Sequence, residues 1–329
     1  MGKKLSTKSN RLSYKIIALL LFSFSFSVCA QSWPNRPIKM VIPFPPGGGS
    51  DTVGRVIAKQ LSDTLNQQVV VDNRSGAGGS IGAEFVVRSS SDGYTILLGS
   101  TSEIAINPSL YNLTYDTASD LIPVAVVATT PMMVISSPSF APKTIRELEL
   151  FANQKPNEIN VASAGNGTIT HLSGELFRGM NNLKWMHIPY KGTGPALADL
   201  MGGQVQLMFV PPPPVLGLIK TNKVNLIAVS GSTRMSAFPD TPTVLESGGI
   251  NYNVDNWYGI FVPAKTPKDI VKKLSDAIDK TLKNPELIFS LKSQGAEPGD
   301  MGSNKFPAYV KSELNKWGGV IKGSNVKAD

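Results

Sequence analysis

The chain has almost no cysteine. Cys29 stands alone among 329 residues, so it has no partner to oxidise and a disulfide framework is excluded. Histidine is nearly as scarce: His171 and His187 are the only two, no tight cluster of carboxylates accompanies them, and no metal site is expected. Phosphate-binding strings are missing too. There is no G-x-x-x-x-G-K-[ST], and the nearest approach to a dinucleotide fingerprint, Gly76 and Gly78, meets Ile81 where a third glycine belongs, with Gly82 displaced by one. Neither a nucleotide nor any other cofactor is expected.

Acidic residues are absent from the first thirty positions. There Lys3, Lys4, Lys8, Arg11 and Lys15 precede the apolar run 16–28, and Val28-Cys29-Ala30 precedes Gln31. Those are the basic, apolar and small-residue parts of a secretory signal, so residues 1–30 are expected to be removed by cleavage after Ala30 and the protein to be periplasmic. The alternative is a lipid anchor at Cys29, which Val28 fits poorly. The run 16–28 is too short to span a bilayer comfortably, and no later stretch is long and apolar enough to be a span. The formal charge of +8 falls to +3 once those five basic residues are set aside. That removes the argument for a nucleic-acid partner.

The full chain is 41% hydrophobic and 17% charged, the balance of a packed globular protein, and is too long for one ordinary core. Two lobes are expected. The string Pro43-Phe44-Pro45-Pro46-Gly47-Gly48-Gly49-Ser50-Asp51 lies between the apolar run 38–42 and a segment where Val53, Val56, Ile57, Leu61 and Leu65 recur at helical spacing. This predicts a strand, a glycine turn, and a helix beginning near Ser50 or Asp51. The first N–H groups of a helix have no partner within it and carry partial positive charge, so such a turn can receive a carboxylate or phosphate. A plain turn capped by Ser50 or Asp51 is the other reading, and Asp51 can compete with an incoming anion.

Strand and helix patterns continue to alternate. A β-branched strand at 69–71, the glycine cluster 76–79, a helix through Val87 and a strand at 94–98 follow in βαβ order, which predicts a mostly parallel sheet flanked by helices. Two apolar strands are expected on either side of Thr129-Thr130-Pro131, where the chain crosses to a second lobe. That lobe repeats the opening: a strand at 159–162, then Ser163-Ala164-Gly165-Asn166-Gly167-Thr168, then a helix carrying Leu172, Leu176 and Phe177 on one side. Two such turns facing each other suggest one shared ligand between lobes. His171, in the first turn of that helix, and Tyr190, just past a strand, are candidate contacts; each is read equally well as packing. His187 is read as structural and Lys191 as solvated.

Together these segments, with His187-Ile188-Pro189-Tyr190-Lys191-Gly192 and Phe238-Pro239-Asp240-Thr241-Pro242-Thr243, resemble the Bug family of extracytoplasmic solute receptors, which serve tripartite tricarboxylate transporters. The resemblance covers essentially the whole chain after residue 30. It implies an α/β fold, a two-lobed periplasmic binding protein of type II topology in which each lobe is a mixed, mostly parallel sheet flanked by helices. The implied division is 31–130 for the first part of lobe one, 131–253 for lobe two and 254–329 for the return to lobe one. It also implies a small carboxylate held by Gly47, Gly48, Ser163, Gly165, Gly167 and Thr168, with Phe44 as an apolar wall; Ser50, Asn166, His171 and Tyr190 complete the candidate set. The ligand classes are di- or tricarboxylates, acidic amino acids and aromatic carboxylates. The expected partners are integral-membrane transporter subunits or, alternatively, a sensor histidine kinase, and a monomer is expected. An enzyme would need a nucleophile paired with a base or two carboxylates; the hydroxyls of Ser50, Ser163 and Thr168 have only His171 near them, so none is expected. Neither glycine turn contains a basic residue, and the proline run 211–214 is expected to stiffen the cleft edge.

Overall fold

The computed structural model describes residues 33–248, 252–324 and 326. The expected signal 1–30, its cleavage point after Ala30 and the alternative anchor at Cys29 lie outside those residues, as does Asn251. The architecture belongs to the unit Arg36–Asp329. Its strands in chain order are β1 (Ile38–Ile42), β2 (Val69–Asn73), β3 (Thr95–Ser100), β4 (Leu121–Pro131), β5 (Met133–Ser136), β6 (Asn160–Ser163), β7 (Met186–Pro189), β8 (Leu207–Val210), β9 (Asn225–Val229), β10 (Asp255–Pro263) and β11 (Glu297–Pro298).

They form two sheets, ordered β11-β4-β10-β3-β1-β2 and β7-β6-β8-β5-β9. In the first, β1 runs parallel to β2 and β3 while β10 runs against both β3 and β4. In the second, β6 runs parallel to β7 and β8 while β5 runs against both β8 and β9. Each sheet is therefore mixed, and most of its strands point the same way although parallel pairings are no majority. Both repeat one order: second, first and third strands, an antiparallel strand from elsewhere in the chain, then a fourth. The near-continuous burial of β1, Ile-Lys-Met-Val-Ile, is what a parallel strand covered on both faces requires.

The crossing differs from the expectation in one respect. Thr129-Thr130-Pro131 does not separate two strands but ends β4, because β10 pairs with β4 along its whole length, from Leu121 opposite Pro263 to Pro131 opposite Asp255. Backbone pairing on that scale outweighs the local turn character of Thr-Thr-Pro. The chain then changes sheet across Met132 and returns between β9 and β10. One hydrophobic core runs through both sheets, joining Val41, Leu97, Val126 and Trp257 to Val134, Phe177, Phe209 and Ile227. The C-terminal helix Phe306–Ser324 also packs on the second-sheet helix Ile169–Met180.

Candidate functional site

Four strands end at the same place. The loops after β1, β2, β6 and β7 each lead into a helix, starting at Gly49, Ser80, Ile169 and Thr193. In open α/β sheets ligands bind in the crevice outside the carboxyl ends of the parallel strands, and two adjoining cavities lie there, of about 530 and 100 Å³. Phe44, Pro45, Ala164, Thr168, Lys191 and Gly192 line both. The larger adds Ala77, Gly78, Gly79, Tyr111, Gly165, Asn166 and Tyr190. The smaller adds Gly48, Gly49, Ser50, Ser100, Ser102, Thr193, Pro211, Asn256 and Tyr258.

The first turn carries no side-chain cap. The helix Gly49–Leu65 begins after Gly48, which sits at φ −80° and ψ 174° and makes no capping hydrogen bond through a side chain. Neither Ser50 nor Asp51 fills that role. Instead the Asp51 carboxylate accepts the Gly47 N–H at 3.0 Å, the Arg55 guanidinium at 3.0 Å and the Asn73 amide at 2.9 Å. Burial pushes its carboxyl up, but the bonds from Arg55, Gly47 and Asn73 outweigh this and hold it below the ordinary value. Asp51 thus takes the outermost donor, Gly47, and leaves the helix start at Gly49 and Ser50 facing the smaller cavity. Gly49 is required there: a Cβ would lie 2.8 Å from Pro211 Cγ and 3.0 Å from Tyr258 Oη.

The second turn is arranged differently from the expectation. Thr168 caps the helix Ile169–Met180, accepting the His171 N–H, and donates to the Gly165 carbonyl at 2.7 Å. The Ala164 N–H goes to Thr170 Oγ1 at 2.8 Å, and the Ile169 N–H crosses the cleft to Ser102 Oγ at 2.9 Å. Tyr111 Oη donates to the Asn166 carbonyl at 3.1 Å, a further bond across the cleft. This turn is therefore largely satisfied from within the protein. The uncapped helix start that the second sheet offers the cleft is Thr193, preceded by Gly192 at φ 110° with no side-chain cap.

Of the candidate residues, Phe44, Gly48, Ser50, Gly165, Asn166, Thr168 and Tyr190 line a cavity. Gly47, Ser163, Gly167 and His171 line neither. Gly167, at φ +70°, lies beneath Asn107 and Tyr111, where a Cβ would come within 2.7 Å of each. Ser163 is fully buried and its hydroxyl pairs with His187 Nε2 at 2.6 Å. His171 is buried against His187, the rings stacked with centroids 3.6 Å apart, so both histidines are packing groups. Burial, then His187 and Arg178, push the His171 imidazole down to about 3. The Tyr190 hydroxyl is committed to Asp199 Oδ2 at 2.7 Å.

Several lining residues escaped the sequence reading. The cluster 76–79 is a poor dinucleotide fingerprint, yet its strand, glycine run and helix repeat the pattern of the other two turns, and residues 76–79 line the larger cavity. Ser102, Tyr111, Asn256 and Tyr258 carry no local signal at all, since they reach the cleft from distant parts of the chain. Asn256 Oδ1 and Tyr258 Oη are buried and form no well-aligned hydrogen bond among the described residues, the polar side chains beside the Tyr258 hydroxyl being Thr130 and Asn256. Buried polar atoms of that kind normally find a partner in ligand or water. Gly78-Gly79-Ser80-Ile81-Gly82 also has the spacing of a nucleophile elbow. Ser80 is instead held by the Asn107 amide at 2.9 Å, and both histidines are occupied with each other on the second sheet.

Residues 53–326 match the family described as the tripartite tricarboxylate transporter family receptor. Protein BugT of Bordetella pertussis is 34% identical over 302 residues, covering 91% of this chain and 93% of that protein. Among solved structures, the periplasmic binding protein BugD is 36% identical and superposes with a TM-score of 0.85, covering 90% of this chain and 100% of its own. An R. palustris protein with adipate is 32% identical, with a TM-score of 0.86 over 90% of this chain and 99% of its own. MatC from Rhodopseudomonas palustris with bound malate is 30% identical, with a TM-score of 0.83 over 88% and 100%.

Proposed function

Because this chain belongs to the tripartite tricarboxylate transporter receptor family, we propose that it is a periplasmic receptor that holds a small organic acid in the cleft and hands it to integral-membrane transporter subunits. The family is one of solute receptors, and this member is a receptor rather than an enzyme. One observation carries the ligand class: two uncapped helix starts, Gly49 and Thr193, open on a cavity whose lining contains no acidic side chain. Unpartnered N–H groups at helix starts favour an anion, and each charge-assisted bond contributes about 1.5–3 kcal/mol. The adipate and malate bound by the R. palustris proteins are of that class.

On this reading the glycine turns ending at Gly49 and Gly192 carry the contacts. The lobes, divided at 31–130, 131–253 and 254–329, shut over the ligand by bending where the chain crosses at Met132 and again before Asp255. A thermal-shift screen of the purified protein against organic acids tests it. A ligand at a hundred times its Kd stabilises the folded state by about 2.7 kcal/mol, a rise of several degrees in melting temperature. No response to any mono-, di- or tricarboxylate contradicts the reading.

A further inference from the structure

Every residue lining the two cavities is uncharged except Lys191. Lys191 is exposed, borders both cavities, and among the described residues its ammonium makes no hydrogen bond or ion pair with another side chain. The other basic groups nearby are committed. Arg55 is held by Asp51 and Asn73, and Arg74 by Asp72 with its guanidinium over the Phe85 ring. The backbone around Lys191 is pinned on both sides, since the Tyr190 N–H donates to the Ser163 carbonyl at 3.1 Å and the Gly192 N–H to the Ala164 carbonyl at 3.1 Å.

We propose that Lys191 is a specificity-determining residue that reads a second negative charge on the ligand, so that the receptor selects dianionic over monoanionic acids. The inference rests on the carboxylate reading above. One carboxylate lies against the helix starts at Gly49 and Thr193, where no cation is needed. A ligand long enough to occupy both cavities brings its other end along the rim that Lys191 occupies. There the ammonium meets a second carboxylate in a cleft that closure leaves poor in water, and a hydrogen bond between charged partners is stronger than a neutral one. A monoanion has nothing to offer at that position.

Titration calorimetry on acids matched in chain length tests the inference: succinate against butyrate, glutarate against valerate, adipate against hexanoate. Wild-type protein is expected to bind at least one diacid about tenfold or more tighter than its monoacid partner, about 1.4 kcal/mol. Lys191→Met is expected to remove that difference by weakening the diacid alone, and Lys191→Arg to restore most of it. Because Lys191 is exposed, both variants should keep the wild-type melting temperature without ligand. If Lys191→Met leaves the diacid preference intact, or weakens mono- and diacid equally, the role of Lys191 is overturned while the carboxylate reading stands. A wild-type protein that prefers no diacid over its partner overturns it too. Failure to bind any of the acids overturns both.

Discussion

Glu103 lies wholly buried beneath Ser100, and burial pushes its carboxyl from an ordinary 4.5 up to about 8 against the pull of the Ser100 hydrogen bonds. The folded state then keeps a proton that the unfolded chain has released, so this contribution to stability is complete below pH 4.5 and is lost as pH rises through 8. His171 acts in the opposite sense. Its imidazole is depressed from 6.5 to about 3, so its contribution is complete above pH 6.5 and is lost as pH falls towards 3. Where the two windows overlap, between 4.5 and 6.5, the slopes oppose each other. Asp51 and Asp72, held below their ordinary 3.8, add to the loss only at more acid pH. Urea unfolding across the pH range should show a plateau in the overlap with a decline on either side. Glu103→Gln should flatten the alkaline limb and His171→Gln the acidic one; an alkaline limb that survives Glu103→Gln contradicts this account. Neither behaviour was legible in the sequence, because a glutamate in an apolar segment and a histidine in a helix acquire these values only from what is folded over them.

At the scale of elements, the proline run after β8 packs against two glycines. Pro211 sits against the helix start at Gly49, and Pro212 against Gly295, the left-handed residue (φ +70°) that ends the helix Pro285–Ser293. A Cβ at Gly295 would lie 2.6 Å from Pro212 Cβ and 2.9 Å from Met235 Cε. Gly295→Ala should therefore cost more than the roughly 1–2 kcal/mol of the left-handed conformation alone. Replacing Pro212 by Gly in the same protein should recover the excess. The measurement is a double-mutant cycle by urea unfolding; a coupling indistinguishable from zero would mean that the two sites are independent. What the sequence showed at this scale was the repeated unit of strand, glycine turn and helix, because apolar periodicity and glycine clusters are local signals. It did not show which helix starts remain open, since that depends on Asp51 folding back onto Gly47 and on Ser102 reaching Ile169 from the other side of the cleft.

For the whole molecule, the core that runs through both sheets and the C-terminal helix that lies across them set the terms of any motion. Glu313 on that helix accepts both the Trp257 and Trp317 indole N–H groups, at 3.0 and 3.1 Å, and all three residues are buried. Glu313→Ala would strand two buried donors at about 1–3 kcal/mol each; chemical denaturation should show a loss of several kcal/mol. A loss below about 1 kcal/mol would show that the indoles find other partners. Lobe closure, as proposed, has to occur without parting this shared core, by bending at Met132 and before Asp255. Small-angle scattering should accordingly show a smaller radius of gyration with saturating ligand. An unchanged radius would count against closure.

The position of β10 has a consequence for the order in which the protein is completed. It is the seam between β3 and β4, yet it begins at Asp255, after the entire second sheet has been made. During synthesis the later sheet, drawn from one unbroken stretch, has all its strands first. The earlier one waits with a gap in its middle until Pro263 has emerged. A fragment ending at residue 250 should thus be better protected from protease between 133 and 229 than between 36 and 131. Such a delay keeps the N-terminal half threadable for as long as a chain has a membrane pore still to cross.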